Sequence, residues 1–210
     1  MEPKVYEELL KNGWRRSGYS FYLNQCPECD LCIPIRIPID QFIPSKSQKR
    51  TVKKNKNVSI IVEPVGFRRD IFDLYKKYNT ARHDPKKEIQ ELDYMNFLGA
   101  SPVETRMMLY YIHDKLIGTG WIDILSTGIS SVYYAFDPDF SSRSLGTFSV
   151  IQEIEMCRSF GFPYYYLGFW VPGSPKMDYK EKFRPNEIFI QGNWENADSF
   201  RFSNSRSNPN

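Results

Sequence analysis

Three cysteines stand at a strict spacing of three in CPECDLC: Cys26, Cys29 and Cys32. Thiolates so placed resemble part of a metal-ligand set, which needs a fourth ligand because structural zinc is four-coordinate. The fourth cysteine, Cys157, falls on the apolar stripe of an expected helix and is poorly placed to supply it. The competing reading is a turn lined with reduced thiols. A second pattern follows closely. No acidic residue occurs from Gln41 to Val62, while Lys46, Lys49, Arg50, Lys53, Lys54 and Lys56 fall inside that window. Such a cationic block can hold phosphate, or it can be a solvated loop. No G-x-S-x-G stands in the chain, so nothing signals an activated serine.

The elements that must position these residues follow from periodicity. Val5, Tyr6, Leu9 and Leu10 predict a short amphipathic helix, and GWRRSGYSFYL a turn and a strand broken at Gly18. IPIRIPIDQFIP alternates but carries three prolines, which predicts an extended edge segment rather than a central strand. NVSIIVEPV reads as a strand. Ile71, Leu74, Tyr75 and Tyr78 share a helical face that stops at ARHDP, and a second helix covers Ile89 to Leu98. TRMMLYYIH, KLIGTGWIDIL and ISSVYYAF predict three strands in succession. After DPDFSSRSLG comes a helix burying Phe148, Ile151, Ile154 and Cys157, capped by Gly161, and then the strand PYYYLGFW.

With 210 residues, 41% hydrophobic and 25% charged, the chain can bury a core as one domain or two small packed ones. No apolar run approaches the ~20 residues of a membrane span, and MEPKVYEELLKNGW lacks a signal-peptide core. These features predict a cytoplasmic location and no membrane partner. Cysteines in such a chain read as metal, redox or buried thiols before disulfides. The aromatic content of 16% is high, and packed rings outnumber base-stacking ones.

The order helix, helix, three strands, loop, helix, strand resembles the GCN5-related N-acyltransferase (GNAT) fold. That resemblance implies an α+β chain with a GNAT-like core over residues 67–194. A small N-terminal α+β unit over 1–66 would pack against it, while the polar, Ser- and Asn-rich composition of 195–210 predicts a disordered tail. The resemblance also implies that the last loop–helix pair cradles a phosphorylated acyl donor. Arg143 and Gly146, in RSLG at that helix's start, would sit at the donor, where backbone N–H groups favour an anion. The loop lacks the glycine-rich repeat expected for coenzyme A.

Several stretches together resemble the aminoacyl-tRNA–protein transferases: GWRRSG, CxxCxxCIPIRIP, QFIPSKSQKR, ARHD, FDPDFSSRSLG and YLGFWVPGSPKMDYKEKFRP. The resemblance spans about residues 5–194. The ending KMDYKEKFRPNEIFIQGNW is similar to the bacterial leucyl-transferring branch, whose acceptors begin with Asp or Glu. Family members usually begin with a further segment carrying another cysteine motif before the helix that here starts near Val5. In the arginyl branch those cysteines are associated with a shared metal or iron–sulfur site. The resemblance therefore implies that the missing ligand went with that segment, and that acceptor choice would relax toward Lys or Arg.

What the resemblance implies residue by residue follows the reaction, in which a neutral α-amine attacks an aminoacyl ester. The partners are aminoacyl-tRNA and acceptor proteins presented by their N-termini. No cofactor is required, and a metal or iron–sulfur cluster at Cys26, Cys29 and Cys32 would be an addition. Arg143, Gly146, Lys176, Lys180 and Arg184 would hold the tRNA. Lys176 and Lys180 would project from one helical face in S-x-K-M-x-Y-K. Arg15, Arg16, Arg36 and Lys46 would grip an acidic acceptor side chain, or, alternatively, bond backbone carbonyls around the proline-rich segment. Tyr133, Tyr134, Tyr166 and Trp170 would line a leucine pocket, or pack in the core; such a pocket discriminates by only ~1–3 kcal/mol per methylene. His83 and Asp137 are the candidates for the proton, although tRNA esters are already activated and positioning alone could suffice. Two rivals compete with this reading. One is an acyl-coenzyme A N-acetyltransferase, and the other a non-catalytic module that binds tRNA or degradation signals.

Overall fold

A computed structural model describes residues 1–82, 86 and 88–199. Helix α1 spans Pro3–Lys11, with proline in the first turn, where a missing N–H costs nothing. Tyr6 and Leu10, one turn apart, form its buried face. Strands β1 (Arg15–Ser17) and β2 (Ser20–Tyr22) make a hairpin around Gly18, whose φ is +57°. A Cβ there would lie 2.3 Å from the Asn96 carbonyl oxygen, so only glycine fits. Strand β3 spans Ile33–Pro38. The basic run is a helix rather than a loop. It is α2, Lys46–Lys54, opened by a capping box between Ser45 and Gln48 that S-K-S-Q encodes.

Next come β4 (Ser59–Pro64), α3 (Arg69–Arg82) and α4 (Glu91–Tyr94), the last running into a π turn at Met95–Gly99. The three expected strands follow as β5 (Thr105–Ile112), β6 (Lys115–Ile124) and β7 (Gly128–Phe136). Helix α5 (Leu145–Ser159) buries Phe148, Ile151, Ile154 and Cys157 as its spacing predicts, and Gly161 follows it at φ +70°. Strands β8 (Tyr164–Trp170), β9 (Glu187–Ile190) and β10 (Asn193–Asn196) complete the described elements.

Eight strands form one sheet in the order β10-β9-β3-β8-β7-β6-β5-β4. All of its pairs are antiparallel except β7–β8, the parallel pair that α5 connects as a crossover. Both sequence units contribute to this sheet: β3 and β4 come from residues 1–66, the other six from 67–196. Strand β3 corrects an expectation. Despite Pro34 and Pro38 it is buried along its whole length between β8 and β9, not at an edge. The sheet accepts the prolines because β9 pairs only with Ile35 and Arg36, leaving Pro34 and Pro38 outside that short ladder.

Successive side chains on a strand point to opposite faces, and β8 uses both. Tyr165 donates its hydroxyl to Glu153 of α5 at 2.6 Å, while Tyr166 packs with Tyr6 and Leu10 of α1. Helices α5 and α1 therefore lie on opposite faces of the sheet. Helix α2 packs against α5. A separate aromatic cluster under α3 and α4 gathers Phe72, Tyr94 and Trp121.

Candidate active site

Strands β7 and β8 pair over only three residues, Gly128–Ser130 against Tyr164–Tyr166, and then part. Both strands are irregular just beyond that point. The β6–β7 register shifts opposite Ser131 and Tyr133, and the β3–β8 register shifts opposite Tyr166 and Gly168. Bulges bend strands and strengthen their twist, which opens a parallel pair. Gly168, at φ +95°, lets the backbone turn there.

Polar side chains that the core would ordinarily exclude converge on this opening. Arg15, buried on the hairpin, donates to the Ser131 carbonyl. Lys180 is buried too, and its Nζ donates to the Phe169 carbonyl at 2.8 Å. A Cβ on Gly168 would lie 3.1 Å from Lys180 Nζ and 3.7 Å from Arg15 Nη2, so the two cations face the same spot. Burial, and then the charge of Arg15, pull the Lys180 ammonium down to about 7. On the α5 face, burial pushes the Glu153 carboxyl up to about 7, against hydrogen bonds from Tyr165, Ser131 and Ser149. A carboxyl shifted that far suits proton exchange near neutral pH. Sequence reading missed Glu153. The available signal was an acid in phase with Ser149, Val150 and Cys157 on the buried stripe of α5.

The other candidates are dispersed. Arg16 is spent on Asp123 through Nε (2.8 Å) and Nη2 (2.7 Å), with further bonds to the Gly18 carbonyl and the Thr105 hydroxyl. Arg36 pairs with Glu187 at 2.6 Å and lies between the rings of Tyr164 and Trp194. Lys46 is exposed at the start of α2. Of the four expected acid-binding cations, Arg15 is the one that is buried without a carboxylate partner among the described residues. Tyr134 and Trp170 pack on the α5 side, Tyr166 with α1, and Tyr133 in the cluster under α3 and α4. These rings do not converge on one pocket.

Asp137 is buried and accepts from Lys77 (2.5 Å), from Lys115 (3.1 Å) and from the Asp139 amide (3.1 Å). Burial works against its ionisation, but Lys77, the Asp139 amide and Lys115 outweigh that and hold the carboxyl below its usual range. It serves as the anchor of the loop before α5. His83 lies outside the described residues. Lys176 and Lys180 do not share a helical face. The chain is a turn at Lys176, the short 3-10 helix begins at Asp178, and Lys176 is exposed while Lys180 is buried. Arg184 is exposed and pairs with Asp198 and Glu181.

Arg143 bonds the Lys54 carbonyl (3.2 Å) and Asn57 Oδ1 (3.1 Å), while Asn55 and Lys54 donate back to the carbonyls of Arg143 and Ser142. These bonds dock the basic helix α2 beside the first turn of α5. There Gly146 has nothing within 4 Å of where a Cβ would stand. The result is a cationic surface next to free helix N–H groups, the arrangement that suits phosphate. A cleft of about 490 Å³ between Pro38, Arg158 and Glu187 lies at the opposite end of β8 from Gly168.

Cys26 and Cys29 are exposed and face each other across a turn, and Cys32 is half-buried. Among the described residues, no group of three or more His, Cys, Asp or Glu is placed to hold a metal, so these thiols do not fit a metal site as they stand. Among the same residues, no helix is long and apolar enough to cross a membrane.

Family models for arginine-tRNA-protein transferases match the chain twice, the N-terminal model over residues 1–50 and the C-terminal model over 70–190. An aspartate/glutamate leucyltransferase of Nitrosococcus oceani is 38% identical over 198 residues, covering 92% of this chain and 83% of that protein. One from Methylobacillus flagellatus is 36% identical over 205 residues, covering 97% and 83%. Among solved structures, the crystal structure of FemX superposes with TM-score 0.51 at 10% identity, over 82% of this chain and 61% of that one. L-PGS from Bacillus licheniformis gives 0.50 at 13% identity, over 69% and 47%. At such identities the likeness is of fold alone, and it agrees with the expected GNAT-like fold.

Proposed function

The chain belongs to the arginine-tRNA-protein transferase family, and from that premise we propose that it moves leucine from a charged tRNA to the α-amine of proteins beginning with Asp or Glu. The observation that carries this reading is the 38% identity, across 92% of the chain, to a protein named aspartate/glutamate leucyltransferase. The family model's name speaks of arginine and the relatives' names of leucine, so the donor is the first thing to test. The added residue would mark its acceptor for degradation. The reaction belongs in the cytoplasm, where charged tRNA is found.

The chemistry is an aminolysis. The amine nitrogen attacks the ester carbonyl, a tetrahedral intermediate forms, and the ribose hydroxyl leaves while the nitrogen gives up one proton. An aminoacyl ester is already activated, so the protein's main tasks are to position the two reactants and to stabilise the oxyanion. The docking of α2 beside the first turn of α5 supports placing the tRNA's 3′ end there, with Lys49, Arg50 and Lys53 along the acceptor stem. Tetrahedral collapse would then occur near the parting of β7 and β8.

The test incubates the purified chain with tRNA charged in turn with leucine, arginine or phenylalanine. Each meets peptides beginning with Asp, Glu, Lys, Arg or Ala, and mass spectrometry reads the added residue. Leucine on the Asp and Glu peptides is the expected result. Arginine in its place reassigns the donor, and no addition in any combination replaces the reading with a binding module.

A further inference from the structure

Burying a charge is costly unless an opposite charge or a full set of hydrogen bonds compensates it. Arg15 and Lys180 are 94% and 91% buried, yet among the described residues each is bonded only to a backbone carbonyl, at Ser131 and Phe169. The nearby carboxylate of Asp123 is already engaged by Arg16, Tyr6 and Thr105. Two cations thus share one spot beside Gly168 with donors to spare and no counter-charge from the described residues. Side chains outside Gly, with a Cβ, would intrude on that spot, and φ +95° disfavours them independently.

The site's location restricts the anion that could enter. Nucleic-acid phosphates are strung on a wide polymer and suit the exposed lysines of α2, on the α5 face of the sheet. Arg15 comes from the hairpin whose Phe21 packs edge-on to Tyr6 of α1, on the other face. A single carboxylate at the end of a chain can reach a nearly closed pair of cations, and it matches a guanidinium and an ammonium in charge and size.

We propose that Arg15 and Lys180 hold the side-chain carboxylate of the acceptor's first residue, entering from the face opposite the tRNA where β7 and β8 part. The identity of the ligand rests on the leucyl-transfer reading. This subsite takes Lys180 away from the tRNA-binding group and leaves Arg16 and Arg36 as structural ion pairs. It selects Asp and Glu by charge: an Asn or Gln of the same shape leaves both buried cations uncompensated.

The experiment compares leucine transfer to peptides beginning with Glu and with its neutral isostere Gln, for the wild-type chain, Lys180→Met, Arg15→Met and Arg15→Lys. The ratio of kcat/KM for Glu over Gln should fall at least tenfold in both methionine variants, mainly through KM for the Glu peptide, and less in Arg15→Lys. Melting temperature supplies the control for folding. Removing an uncompensated buried cation should leave Tm of Lys180→Met equal to or above wild type, whereas a purely structural lysine would lower it. An unchanged ratio in Lys180→Met and Arg15→Met overturns the proposal, as does an equal loss on both peptides, which would instead mark the pair as stabilising the oxyanion. If the wild-type chain transfers nothing, the leucyl-transfer reading fails separately. Anisotropy of labelled Glu and Gln peptides without tRNA then decides the subsite: a Glu preference lost in Lys180→Met supports it, and no preference overturns it.

Discussion

A buried ionisable group either has a partner or shifts its equilibrium, and three residues here illustrate the alternatives. Arg16 has its partner. Truncating it to Leu strands Asp123 in the core, and breaking a buried pair from one side costs about 3–5 kcal/mol; urea unfolding should show that loss. Glu153 shifts instead. Burial pushes its folded-state carboxyl from the ordinary 4.5 up to about 7, so the native state favours the protonated form. That stabilisation is complete below about pH 4.5 and is lost as pH rises through about 7. Glu153→Gln, which can still accept from Tyr165, should therefore gain in Tm relative to wild type between pH 5 and pH 8. A constant difference across that range would refute the titration. Lys180 shifts too, its ammonium pulled down to about 7 by burial and by the charge of Arg15. Arg15 is held by the Ser131 carbonyl with no carboxylate partner among the described residues, and it is these two that the proposed subsite uses. Residue types and motif positions marked Arg15, Arg16, Arg36 and Lys180 as candidates, but only the neighbours of each separate the structural cations from the functional ones.

At the scale of elements, α2 is the clearest case. Its charge run was conspicuous in the sequence and its helicity was legible in S-K-S-Q, yet a run of lysines without an apolar stripe suggests a loop. Ser45→Ala should cost about 1 kcal/mol by removing the cap, measured as a drop in urea midpoint. Replacing Lys49, Arg50 and Lys53 with Gln should weaken tRNA binding without that drop. If each meets one phosphate of a duplex stem, the slope of log K against log salt should shallow by about 3. An unchanged slope would move the tRNA elsewhere on the surface. Strand β3 shows the opposite difficulty. Its prolines indicate an edge by local rules, and the short ladder of β9 that relieves them lies 150 residues away in the chain.

At the scale of the molecule, the sheet joins the two ends of the sequence. Strand β3 sits between β8 and β9, so the N-terminal 66 residues and the remainder should unfold together. Far-UV circular dichroism and the fluorescence of a variant retaining only Trp14 should give coincident urea transitions; two separate midpoints would restore an independent N-terminal unit. The sequence by itself determined the order of elements from α3 to β8, the buried face of α5 and the family, because apolar period and motif spacing are local properties that survive without a partner. The tertiary structure decided which cations have carboxylates, where β7 and β8 part, and that Glu153 and the Arg15–Lys180 pair approach that gap from opposite faces. Those are properties of tertiary contacts, some between residues more than 100 positions apart, as Arg15 and Ser131 or Arg16 and Asp123 are, and the energy of a charge depends on what surrounds it rather than on its place in the chain.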